Sequence, residues 1–335
     1  MNKKLIAVAV AAGLALPMVS AHADDMETTS KFYGKLHVSA GQYDSLGTAS
    51  DNARVESIDS RLGFKGQVKL EAGLAATYQI ETKVFLDDPT TAATTSFSDR
   101  TTFAGLKGSF GEVRVGYHDS PLKLAQGKFD QFGDTVGDFK NAGDEDGENR
   151  NKNSITYLGK FGNVGFNVQV APGEGDGTDG GKGQAFTDNT SIAVTYKDGP
   201  LYVAVAQDSH DKKAFAGATE NAMTRLVATY KLNSMQFGLL SQSGVEASDN
   251  SAAKETWLGA SFNMKMGSNG KIKAQLINVK DSATTALKST QTSIGYDHKL
   301  GKKGTVYAMY NAITEKNAAT TKDDTAISVG YIFKF

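Results

Sequence analysis

The amino-acid sequence predicts an all-β fold, a transmembrane antiparallel β-barrel. Three observations carry that prediction: an N-terminal export signal, the lack of any later apolar run long enough for a membrane helix, and an apolar–polar alternation of period two. The alternation recurs along the chain and ends on an aromatic terminal strand.

The export signal comes first. Lys3 and Lys4 precede the apolar stretch Leu5 to Leu16, Pro17 breaks it, and Ala21-His22-Ala23 supplies a small-x-small cleavage pattern. The stretch falls short of the roughly 20 residues a spanning helix needs. The expected division is therefore a cleaved signal peptide over 1–23 and a barrel over 24–335. Removing the two signal lysines leaves 34 basic and 37 acidic residues, a net charge of −3. That balance, with no basic block, does not suit nucleic-acid binding. There is no cysteine, so the disulfides of small secreted folds are excluded. Thirty-six glycines against five prolines, with abundant threonine and tyrosine, suit strands and turns.

The terminal strand shows the period most clearly. Ile327, Val329, Tyr331, Phe333 and Phe335 alternate with Ala326, Ser328, Gly330, Ile332 and Lys334. One face is thus aliphatic and then aromatic, as a lipid-facing strand with an interfacial girdle would be. Upstream, Phe32, Gly34, Leu36 and Val38 oppose Tyr33, Lys35, His37 and Ser39. Leu62, Phe64 and Val68 oppose Arg61, Lys65, Gln67 and Lys69, and Tyr78 and Ile80 oppose Gln79, Glu81 and Lys83. Val113 and Val115 oppose Arg114, and Val164, Phe166 and Val168 oppose Asn163, Asn167 and Gln169. No soluble core explains so many strands of this kind, whereas a water-filled barrel in lipid does.

Counting such segments places strands near 31–40, 57–68, 73–84, 100–107, 112–118, 152–159, 163–171, 190–197, 200–208, 223–232, 235–243, 255–264, 270–280, 290–298, 304–314 and 325–335. Sixteen is an even number, as bacterial barrels require. The facing of 304–314 is ambiguous. Connections alternate between tight turns, as at 159–162 and 299–304, and long polar stretches, as at 172–189 and 244–254.

Ser60-Arg61-Leu62-Gly63-Phe64-Lys65-Gly66, followed by RTTFAGLKGSFGEVRVG over 100–116, resembles the N-terminal third of the general (diffusion) porins of Gram-negative bacteria. Arg150 to Tyr157, Tyr33-Gly34-Lys35-Leu36 and the terminal aromatic strand are similar to that family in the same order. The resemblance implies an outer-membrane homotrimer of sixteen-stranded barrels, each pore narrowed by its third external loop. It also implies passive diffusion of ions and small hydrophilic solutes, and contact with outer-membrane lipid and lipopolysaccharide. Tyr331, Phe333 and Phe335 resemble the signal read by the barrel-assembly machinery. The segment matching the pore loop is Asp119 to Asn151, and Gln131-Phe132-Gly133-Asp134-Thr135 is similar to its tip. Gln131 departs from relatives that carry an acid there.

The loop segment has eight acids (Asp119, Asp130, Asp134, Asp138, Asp144, Glu145, Asp146, Glu148) and four bases (Lys123, Lys128, Lys140, Arg150). Asp130, Asp134 and Asp138 flank the tip and are the expected aperture carboxylates, while 144–148 reads as solvated surface. Facing them are Lys35, Arg61, Lys65, Lys83, Arg100 and Arg114 on early polar faces. An arginine toward lipid at the midplane costs roughly 2–4 kcal/mol, which favours the inward arrangement. Opposed walls of charge orient water and tune ion preference. Three acids balancing three arginines, with acidic outer loops, give an expected weak cation preference.

Enzymatic readings find no footing. His37, His118, His210 and His298 lie in no Gly-x-Ser-x-Gly or His-Glu-x-x-His setting, and no cofactor or metal spacing occurs. Gly173 to Gly183 is acidic and reads as an external loop that would hold calcium weakly at most. An adhesin would have fewer strands or a soluble domain. A substrate- or anion-specific porin is the nearest alternative, and it would carry an aromatic ladder or a dense basic cluster.

Overall fold

Alternation along each strand puts one row of side chains outside and the next inside, and hydrogen bonding then closes the ring. The structure, a computed structural model, describes residues 28–44, 51–87, 100–143, 147–172, 185–210, 221–245, 254–281, 287–317 and 319–335. The predicted signal peptide and glycine cluster lie outside these residues. Strands run in chain order β1 (Thr28–Asp44), β2 (Asp51–Ser57), β3 (Arg61–Lys69), β4 (Ala75–Lys83), β5 (Thr102–Gly108), β6 (Gly111–Asp119) and β7 (Arg150–Phe161). They continue as β8 (Val164–Ala171), β9 (Asn189–Asp198), β10 (Leu201–His210), β11 (Asn221–Leu232), β12 (Met235–Val245), β13 (Lys254–Met266), β14 (Gly270–Asp281), β15 (Lys288–Leu300), β16 (Gly304–Lys316) and β17 (Thr321–Lys334). β2 and β3 both pair with β1 and are two halves of one strand. The barrel therefore has sixteen strands, each antiparallel to its neighbours, and β1 pairs with β17 to close it.

The break between β2 and β3 is where the observed barrel departs from the predicted 57–68 strand. Asp59 has φ 49°, a left-handed conformation that the short polar Asp tolerates better than most side chains. Ser60 stitches the gap, accepting from the His37 amide at 2.9 Å and donating to the His37 carbonyl at 3.1 Å. At one end of the barrel the connections are tight, with left-handed residues such as Gly162 (φ 60°) and Asn233 (φ 53°) reversing the chain. The connections of the other end are mostly longer.

Exposure is inverted relative to a soluble core. Phe64, Val115, Leu239, Ile327 and Val329 are more than half exposed on the outside. Gln169, Thr156 and Gln291 are fully buried on the inside. The ambiguous strand resolves as β16 with Val306 and Tyr310 outward and Tyr307, Met309 and Ile313 inward. Apolar residues can face inward there because part of the chain covers them. No helix among the described residues is long and apolar enough to cross a membrane.

Candidate functional site

The covering segment is the stretch between β6 and β7. It opens with a one-turn helix, α1 (Pro121–Ala125), in which Ser120 accepts from the Lys123 amide at 3.1 Å and proline takes the first position. Leu122, Ala125 and Phe129 pack on inward Ala193, Ala204 and Val227 of β9, β10 and β11. Phe129, Phe139 and Trp257 then stack edge to face, with centroids 6.1 and 6.2 Å apart. Gly259 of β13 makes room for the Phe129 ring, since a Cβ there would stand 2.5 Å from it.

Polar side chains of the same wall fix the segment's backbone. Gln275 accepts from the Gln131 amide at 3.0 Å, Gln236 donates to the Lys128 carbonyl at 2.9 Å, and Gln291 donates to the Asp138 carbonyl at 3.1 Å. Gln131 itself is held by Asn263 at 2.8 Å. Arg225 ties the two stems together. Fully buried, it bonds the Leu122 carbonyl at 3.2 Å, Glu148 at 2.8 Å and Gln242 at 2.7 Å, and lies 5.3 Å from the centre of the Phe139 ring.

From this seat the tip reaches the opposite side of the seam. Asp134, at φ 60°, places its carboxylate 2.6 Å from Lys35 of β1 and 3.3 Å from Arg61 of β3. Burial opposes ionisation there, but the two cations outweigh it and hold the carboxyl well below the usual range. Beside this contact, Arg100 grips Glu81 at 2.6 Å and Asp59 at 3.1 Å, and Lys83 stands 3.8 Å from Asp59. Arg114 holds Glu112 at 2.8 Å. Lys65 is exposed, with its ammonium 4.7 Å over the Tyr33 ring.

Of the three expected carboxylates, only Asp134 meets the basic wall. Asp138 is buried and turns back into the loop, accepting from the Asp134 amide at 3.0 Å and the Lys140 amide at 3.2 Å. Asp130 closes a tight turn onto the Phe132 amide at 2.9 Å. Burial raises both carboxyls above the usual range, with the Asp138 charge adding to the effect on Asp130. Glu148 is pushed up to about 7 by burial, the Arg225 charge pulling the other way. Glu81, Asp59 and Arg225 belong to the site beyond the residues expected from the sequence. Glu81 and Arg225 sit on legible inward periods, whereas Asp59 reaches the wall only because the strand breaks there. Asp144, Glu145 and Asp146 lie outside the described residues.

A closed barrel, apolar outside and polar inside with a segment folded across its interior, is a transmembrane channel. A family profile described as Gram-negative porin matches residues 7–318, and the chain belongs to that family. Outer membrane porin protein 32 of Delftia acidovorans is 29% identical over 96% of this chain and 92% of that protein. Among solved structures, the anion-selective porin from Comamonas acidovorans is similar with a TM-score of 0.81 at 23% identity, covering 92% of this chain and 100% of that one. The trimer form of OmpT from Vibrio cholerae is similar with a TM-score of 0.66 at 13% identity, covering 92% and 99%. The protein is an outer-membrane porin channel and not an enzyme.

Proposed function

We propose that the protein is a homotrimeric general diffusion pore for ions and small hydrophilic solutes, its aperture set by the Asp134 tip. The observation that supports this most is the bridge from Asp134 to Lys35 and Arg61, which makes the loop a fixed constriction. Around it stand six cations, Lys35, Arg61, Lys65, Lys83, Arg100 and Arg114. Four carboxylates, Asp59, Glu81, Glu112 and Asp134, pair with five of them. The expected cation preference counted Asp130 and Asp138 in the aperture as well. With those two turned into the loop, the six cations and four carboxylates leave +2. Lys65 stands four residues along β3 from Arg61, beyond the roughly 8 Å over which salt screens, so the constriction itself keeps +1. The reading is therefore a weak anion preference at low salt that fades as salt rises. A cluster so largely neutralised does not favour the substrate-specific alternative.

The same reading has residues 1–23 removed after Ala23. Tyr331, Phe333 and Phe335 act as the assembly signal, and lipid and lipopolysaccharide surround the apolar exterior. Reversal potentials across a potassium chloride gradient test the ion preference. A small potential of anionic sign at low salt is expected, and a strong potential of either sign would sink the diffusion-pore reading.

A further inference from the structure

β1 and β3 set two pairs of inward cations directly opposite each other. Lys35 faces Arg61, and four residues nearer the tight turns Lys31 faces Lys65. Four residues span about 13 Å of strand, and an even step repeats the same kind of cross-strand pairing. Like charges placed opposite one another are destabilising, and the first pair is relieved by the Asp134 carboxylate lodged between them at 2.6 and 3.3 Å. The second pair has no such relief. Among the described residues neither Lys31 nor Lys65 meets a carboxylate, and both are exposed. They border a polar cavity of about 470 Å³ whose wall continues to Lys107 and Arg114. The one carboxylate of that wall, Glu112, is already held by Arg114 at 2.8 Å and by the Thr77 hydroxyl at 2.7 Å.

We propose that Lys31 and Lys65 form a binding site for small oxyanions, in which a solute carboxylate or phosphate group bridges them as Asp134 bridges Lys35 and Arg61. The site rests on the diffusion-pore reading and deepens it, since anionic solutes pause there on the turn side of the constriction. The separation of about 13 Å exceeds the screening length of roughly 8 Å, so the constriction and the site act as separate charge centres.

Inorganic pyrophosphate is the probe, added to both chambers of a planar bilayer holding the full-length trimer in potassium chloride. The parent current is expected to fall with pyrophosphate concentration. In Lys31→Gln/Lys65→Gln the half-blocking concentration, measured against that variant's own current, is expected to rise at least tenfold. Lys31→Arg/Lys65→Arg, which keeps both charges, is expected to retain the block. Lys128→Gln/Lys140→Gln removes two cations from the loop and is expected to leave the half-blocking concentration within twofold of the parent. An unblocked parent, or equal weakening in the Gln pair and the loop pair, overturns the site. Failure of the underlying reading looks different, because the parent would then carry no current, or show a strong reversal potential, before any pyrophosphate is added.

Discussion

Asp134 draws its importance from geometry that charge counting could not supply. Three aspartates near the tip looked equivalent in sequence, yet a left-handed residue at 134 and two amides donating to Asp138 separate them. All three read as aperture groups in the sequence, and loop hydrogen bonds with no sequence period decide where Asp130 and Asp138 turn. Asp134→Asn is expected to move the low-salt reversal potential toward anions by several millivolts, whereas Asp138→Asn leaves it near the parent value. Reversal potentials of the two purified variants check this, and equal shifts would mean that both carboxylates line the aperture. A pH expectation follows from the same separation. The Asp134 carboxyl is depressed, so its stabilising contact is present above the ordinary value of roughly 4 and is lost only below it. Glu148 is raised to about 7, so its protonated form favours the folded seat as pH falls from about 7, and that contribution is lost as pH rises through 7. Acidifying from pH 7 to about pH 5 should therefore neither release the tip nor change the ion preference. A marked anionic shift over that interval would place the titrating acids in the aperture.

At the scale of elements, all sixteen strands were legible, because lipid on one side and water on the other impose a strict period of two. The pore-loop seat was not, although its traces are present. Adjacent apolar pairs such as Leu226-Val227, Leu239-Leu240 and Leu276-Ile277 break the alternation where the loop covers the inner wall, and the second member of each pair is buried. Arg225 holds that seat from below. Removing one partner of a buried ion pair costs on the order of 3–5 kcal/mol, which is enough to free the loop stems while the barrel stays closed. Arg225→Ala is expected to raise open-channel noise and mean conductance, with Arg225→Lys intermediate. A quiet Arg225→Ala channel of parental conductance would show that the aromatic stack alone fixes the loop. The terminal strand makes a second case. The Phe335 amide and carbonyl bond Gly34 at 3.2 and 3.1 Å, and its ring lies 5.7 Å from Phe32 and 5.6 Å from Phe333. Deleting Phe335 should lower the amount in the outer membrane sharply while export continues. Fractionation with normal outer-membrane levels would show that the terminal aromatic is dispensable.

The whole molecule is a barrel whose outer surface near the seam is strongly apolar. Phe32, Phe64 and Ile80 stand about half exposed on neighbouring strands, beside the small Gly34 and Gly66. Such a surface can meet lipid or a second barrel, and the proposed homotrimer covers it with neighbours. The proposed assembly rests on this face and on the family. Three parallel pores, each with a fixed internal loop, have a direct electrical signature. Single-channel recording of the unheated protein in planar bilayers is the most direct measurement. The expected record is an ohmic current, weakly selective, that closes under high voltage in three equal steps. A single step, a current that saturates at modest salt, or no current at all would contradict it.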